Sequence, residues 1–239
     1  MRFARAGALM LGAGALLVAR PGQAIAQTPD DRPTVAVMHF VNGAIGRWHE
    51  EYDALRVGIP DLLLTELAAN PAIRVLERDQ IAEVLREQDL NASDRVDKET
   101  AVRIGRLLGV HHMIFGTFVI DGRGAMRIDV RAVNTETSEI EYIETVREKS
   151  DDFMVAISRL AGQMNAGMKL PAVPREVREA RTEKAKTVPF KAALLYARAV
   201  AEETNGDWAS AAEQYRAVLA EFPDYEPAQK ALARAKQGA

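Results

Sequence analysis

The chain has 239 residues, 31 Lys and Arg against 34 Asp and Glu for a formal net charge of −3, and no Cys. The missing Cys excludes a disulfide framework, a thiolate zinc site, a Cys nucleophile and a lipidated Cys after a leader. The mildly acidic balance argues against a phosphate-tracking nucleic-acid binder, which clusters Lys and Arg on one face.

Arg2 and Arg5, the apolar run from Ala6 to Ala19 and the small-x-small triplet Ala24-Ile25-Ala26 predict a secretory signal peptide over residues 1–26. The run is shorter than the ~20 residues of a membrane span, and Arg20 and Pro21 interrupt it. Cleavage after Ala26 leaves 28 basic residues against 34 acidic, a net −6. No second stretch approaches spanning length, so the mature chain is expected in the periplasm without a transmembrane segment.

Thr34 to Phe40 is a β-rich run with Pro33 before it and Asn42-Gly43 after it, which reads as a largely buried strand. Val41 to Asp53 reads as an irregular loop, freed by Gly43 and Gly46 and carrying His49 and Trp48. Trp48 either anchors a partner or folds back over the sheet edge. Leu55, Ile59, Leu62, Leu63 and Leu67 recur at helical spacing, with Pro60 expected near the first turn and Asn70-Pro71 as the stop. A short strand over Ile73 to Arg78 follows, then a helix with Ile81, Val84 and Leu85 on one side. Asp97 reads as the N-cap of a helix that buries Ala101, Ile104, Leu107 and Leu108 and stops at a left-handed Gly109.

His112 to Ile120 is the third strand, Asp121 to Gly124 a tight reversal, and Ala125 to Asn134 a fourth strand with strict alternation, so one face is core and the other wet. A turn over Thr135 to Ser138 leads into a fifth strand, Glu139 to Arg147. A helix then aligns Phe153, Ile157, Leu160, Ala161, Met164 and Met168 on one stripe. The order predicts an α/β (α+β) fold, a mixed sheet covered by helices in one domain of residues 33–169. Pro171, Pro174 and Pro189 enclose a charged run that reads as a linker over 171–189, helical in part. A small all-α region follows over 190–239, with helices from Phe190 to Thr204, Asp207 to Glu221 and from about Tyr225.

In that last region Gly206-Asp207-Trp208 is followed by Ala211, Tyr215, Leu219 and Pro223 at tetratricopeptide spacing, although Glu202 stands where an aromatic is usual. The alternative is an ordinary αα-hairpin. A single repeat buries too little to stand alone, so it is expected to pack on the chain, a second copy or a partner. Ala193, Tyr196, Val200 and Glu203 occupy the positions that line a tetratricopeptide groove, and with Trp48 they are the expected partner-binding residues. No catalytic, metal or cofactor-binding residue is assigned: the four His have no ligand spacing, and no Gly-Lys-Ser/Thr or Gly-x-Ser-x-Gly occurs.

The sheet region resembles the curli-assembly secretion-component family and the related N-terminal domain of the periplasmic Tol-system propeller protein. The resemblance rests on Val35-Ala-Val-Met-His-Phe40, Leu62 to Leu67, Ile73-Arg-Val-Leu-Glu-Arg78, Ile104 to Val110, Ile114-Phe-Gly-Thr117 and Val130 to Ile140. It implies a non-enzymatic envelope protein of the periplasm and the inner face of the outer membrane, acting in secretion or surface-structure assembly. Two departures stand out. The chain has no Cys for an acyl anchor, and its turn at Asp121 to Gly124 leaves no room for a membrane-crossing hairpin, whose two strands need about 20 residues. Partners are expected among envelope proteins or a second copy of the chain. The rival readings are a ring-forming outer-membrane transport component and an envelope enzyme whose site the sequence does not display.

Overall fold

The computed structural model describes residues 30–87 and 97–238; the signal peptide expected over residues 1–26 lies outside them. A six-stranded mixed sheet is built from β1 (Thr34–Val37), β2 (Val41–Asn42), β3 (Arg74–Val75), β4 (His112–Ile120), β5 (Ala125–Asn134) and β6 (Ile140–Lys149). Its order is β3-β1-β4-β5-β6, with β2 continuing the line of β1 along β4. β1 runs parallel to both β3 and β4, and β4, β5 and β6 are antiparallel neighbours.

The nine helices among the described residues are α1 (Arg47–Tyr52), α2 (Leu55–Leu67), α3 (Arg78–Glu87), α4 (Lys98–Leu108), α5 (Phe153–Gly167), α6 (Arg175–Lys186), α7 (Phe190–Thr204), α8 (Trp208–Glu221) and α9 (Glu226–Gly238). Alternation along the strands sorts side chains between two cores. Ala36, Met38, Met113 and Phe115 face α3 and α4, while Val35, Val37, Ile114 and Phe118 face α2 and α5. The second core continues outward without a break through α7, α8 and α9.

Local signals account for most boundaries. Asp97 accepts the Thr100 amide at 2.8 Å, and Gly109 stops α4 at φ 63°. Asp121 Oδ1 accepts the Arg123 and Ala125 amides in the β4–β5 turn. Phe153, Ile157, Leu160, Ala161, Met164 and Met168 are all buried along α5.

Two expectations are corrected, and the partly helical linker is given its bounds. Pro60 lies well inside α2 rather than in its first turn. Having no N–H, it cannot donate to the Arg56 carbonyl, which instead accepts the amide of Phe40, between β1 and β2, at 2.9 Å. The helix thus tolerates Pro60 because the β1–β2 connection supplies the missing donor. The expected loop Val41 to Asp53 contains β2 and α1, so His49 is helical. The expected linker 171–189 is mostly α6, tied down by Arg181 donating to Glu66 of α2 at 2.9 Å. Residues 32–239 accordingly form one compact unit, hairpin included.

Within that unit α2 and α7 join closely. A Cβ built on Gly58 would sit 2.3 Å from Ala197 Cβ, so the helices cross backbone to backbone at this pair. Beside it, Phe190 at the start of α7 meets Tyr52 at 5.9 Å and Phe153 at 5.4 Å between ring centroids. In an exposed helix Gly→Ala stabilises by about 1 kcal/mol. Here we expect Gly58→Ala to destabilise by about 1–3 kcal/mol through overpacking, with partial recovery in the double variant carrying Ala197→Gly, as read from urea midpoints.

Candidate interaction groove over a buried charge network

Where α2, the start of α3 and α7 converge, four charged side chains meet two tyrosines. Arg78, the first residue of α3, donates to Asp61 of α2 at 3.3 Å and to Glu203 of α7 at 3.1 Å. Arg234 of α9 grips both Glu203 oxygens, at 2.6 and 3.0 Å. The Tyr196 hydroxyl donates to Asp61 at 2.5 Å and the Tyr215 hydroxyl to Glu203 at 2.6 Å. Two arginines and two carboxylates balance, which is the condition for burying charge at all. The planar fork of Arg78 is what lets one side chain hold carboxylates on two different helices.

The electrostatics follow from this packing. Burial alone would raise the Glu203 carboxyl, but the hydrogen bonds from Arg234 and the charge of Arg78 outweigh it and hold it below the ordinary glutamate value. Burial, reinforced by Asp61, pushes the Tyr196 hydroxyl far up. Burial, reinforced by Arg56 and Arg78, pushes the nearby His39 imidazole down to about 4.

Above the network opens a groove of about 910 Å³ between α2, β3, α6 and the α8–α9 turn. Its walls include Leu64, Val75, Met154, Val188 and Phe222, and Tyr196, Arg78 and Arg234 line its inner end. The rim charges are largely neutralised in pairs: Arg181 with Glu66, Lys184 with Glu226, and Lys230 also with Glu226. Tyr225, whose ring stands edge-on to Tyr196 at 5.6 Å, keeps its buried hydroxyl without a hydrogen-bond partner among the described residues.

Of the residues expected to form a partner surface, Tyr196 alone lines this groove. Ala193, Tyr196, Val200 and Glu203 are all buried, at 0 to 2% exposure, against α2, α8 and α9. The face of α7 that would line an open groove is covered by the chain's own α2, which corrects the expectation of free access there. Trp48 is half-buried. It stacks on Tyr52 at 6.1 Å, carries the Arg47 guanidinium 4.1 Å above its ring, and lies so close over Gly122 that a Cβ there would meet it at 2.2 Å. Trp48 therefore folds back over the β4–β5 turn. His111 accepts the Thr34 amide and His112 contacts Glu141 at 2.5 Å, so both serve the sheet.

Missing from the sequence reading were Asp61, Arg78 and Arg234. The one signal available was Asp61 among the leucines of an amphipathic stripe, an unusual place for an acid.

Residues 20–120 match the family model of the curli production assembly/transport component CsgG. The match ends with β4, so Asp61 and Arg78 fall inside it and Glu203 and Arg234 outside. No curated protein matches the chain. Among solved structures, the LpoB C-terminal domain from Salmonella enterica is similar at 17% identity and a TM-score of 0.37, covering 49% of this chain and 82% of that one. Lipoprotein GNA1162 from Neisseria meningitidis is similar at 13% identity and 0.39, covering 55% and 95%. TolB from Acinetobacter baumannii is similar at 8% identity and 0.39, covering 60% and 30%.

His39 supplies a pH test. The unfolded chain takes up its proton near pH 6.5, whereas the folded chain resists until about 4. A depressed histidine contributes stability that is complete above ~6.5 and is lost as pH falls towards 4. The native chain should lose up to about 3 kcal/mol more than His39→Gln across that window in denaturant unfolding. A difference between the two that does not change with pH contradicts the assignment.

Proposed function

We propose that this is a non-enzymatic envelope protein of the periplasm, associated with the outer membrane, that binds a segment of another protein in the groove between β3, α6 and the α8–α9 turn. The role fits secretion or surface-structure assembly, in keeping with the family model matched by residues 20–120. The carrying observation is the groove itself: an apolar-walled cleft of about 910 Å³ whose rim charges are largely paired. Such a cleft is large enough for several side chains of a mainly apolar segment, and three of its rim cations, Arg181, Lys184 and Lys230, are already paired. Among the described residues, no helix is long and apolar enough to cross a membrane.

The test is a photo-crosslinking amino acid placed at Val177 or Ala180, both exposed on the groove wall, with Glu213 on the far side of α8 as control. We expect one discrete protein adduct from the two groove positions in intact cells and none from Glu213. Val177→Asp should weaken its capture, since a charge forced against an apolar segment costs about 1–3 kcal/mol. Equal adducts at all three positions, or none in the groove, contradict the proposal.

A further inference from the structure

Alternation along β5 sorts the charge of the sheet by face. Ile128, Val130 and Ala132 join the core under α2 and α5, so Arg127, Asp129 and Arg131 point the other way, as Val133 does. Directly opposed residues of antiparallel strands share a face. The β5–β6 register therefore sets Arg131 beside Ile143, Asp129 beside Thr145 and Arg127 beside Arg147 on that face, with Lys149 beyond them opposite Ala125. α3 and α4 cover part of it and bury Met113, Phe115 and Val133. The part over β5 and β6 stays open: Arg127, Arg131, Arg147 and Lys149 are exposed, Ile143 is 61% exposed, and Val119 of β4 borders them opposite Arg127.

This open part is cationic in a chain whose formal charge is −3. Its four cations meet one acid, Asp129, which already accepts from Arg127 at 2.9 Å and from the Thr145 hydroxyl at 2.6 Å. Arg131, Arg147 and Lys149 make no salt bridge among the described residues. Arg127 and Arg147 stand directly opposite one another, and like charges so placed are unfavourable to the sheet. The fold by itself gains nothing from that pair, whereas a carboxylate set between the two guanidinium groups turns repulsion into attraction.

The shape of the recess selects the kind of anion. α4 packs on β4 and β5 from the same side and, being a helix, rises about 10 Å above the strands. A flat bilayer would rest on α4 before reaching β5 and β6, so the space suits an element of helix width lying beside α4. We propose that this open face docks an acidic amphipathic helix of another protein, its carboxylates on Arg127, Arg131 and Arg147 and its apolar side chains on Ile143 and Val119. The planar forks of the arginines grip carboxylates through paired hydrogen bonds. Docking completes a helical layer that α3 and α4 leave unfinished on this side of the sheet. The surface is separate from the groove and does not depend on its occupant.

Fluorescence anisotropy on the whole protein tests this, with a labelled synthetic helix of repeated Glu-Ala-Ala-Leu units and a control helix carrying Lys in place of Glu. We expect saturable binding of the acidic helix alone, weakening as salt is raised. Arg131→Glu and Arg147→Glu should each lower the affinity about tenfold. Arg147→Glu should also raise the urea midpoint, because the new carboxylate opposes Arg127; a merely structural role for Arg147 predicts the reverse. An acidic helix that does not bind, equal binding of the Lys helix, or affinity unchanged in both variants overturns the proposal. So does an affinity lost together with a fallen urea midpoint in Arg147→Glu. Binding to phosphatidylglycerol vesicles that both variants abolish would make the face a membrane contact and overturn it as well.

Discussion

Arg78 sets the terms for the molecule. Its guanidinium is almost entirely removed from water, and an isolated cation in that position would cost several kcal/mol. It is tolerable only because Asp61 reaches it from α2 and Glu203 from α7, while Arg234 balances the second carboxylate from α9. Four helices that are distant in sequence must therefore meet in one arrangement. Removing any one partner leaves a buried charge uncompensated, which is a stronger constraint on geometry than an apolar contact of the same area.

The constraint decides which surfaces remain for function. α7 spends its inner face on α2, through Gly58 and Ala197 at the crossing and Tyr196 on Asp61, so the helical layer cannot offer that face to another protein without coming off the sheet. What it leaves open is the cleft beside the network, where α6 spans from the tip of α2 towards the α8–α9 turn, and the two ends of the sheet. One end is the two-residue β3 at the cleft and the other is the long β6.

Much of the fold was legible because it is written in local patterns. The alternation along β5, the Asp97 cap, the Gly109 stop and the bounds of α7 and α8 each depend on a few neighbouring residues. The site was not legible, because Arg78 and Glu203 are 125 positions apart and each, alone, reads as a solvated charge. Pro60 misled for the same reason: the donor that excuses it in mid-helix is the Phe40 amide between β1 and β2, contributed by topology. Tyr196 and Glu203, expected to bind a partner, hold Asp61 and Arg78 in the fold. The face of α7 that they share is taken up by α2 and α3 of the same chain.

If the network makes the sheet and the helical layer one cooperative structure, they must unfold together. The two tryptophans report on each part: Trp48 covers the β4–β5 turn, and Trp208 opens α8. Urea unfolding followed by fluorescence in Trp48→Phe and in Trp208→Phe isolates each signal in turn. The account predicts that, once each variant's own stability is normalised against far-ultraviolet circular dichroism, both tryptophans change over the same urea range as the secondary structure. A Trp208 transition that is complete while the sheet and Trp48 remain native would show the helical layer to be separately stable or merely tethered, and would contradict it.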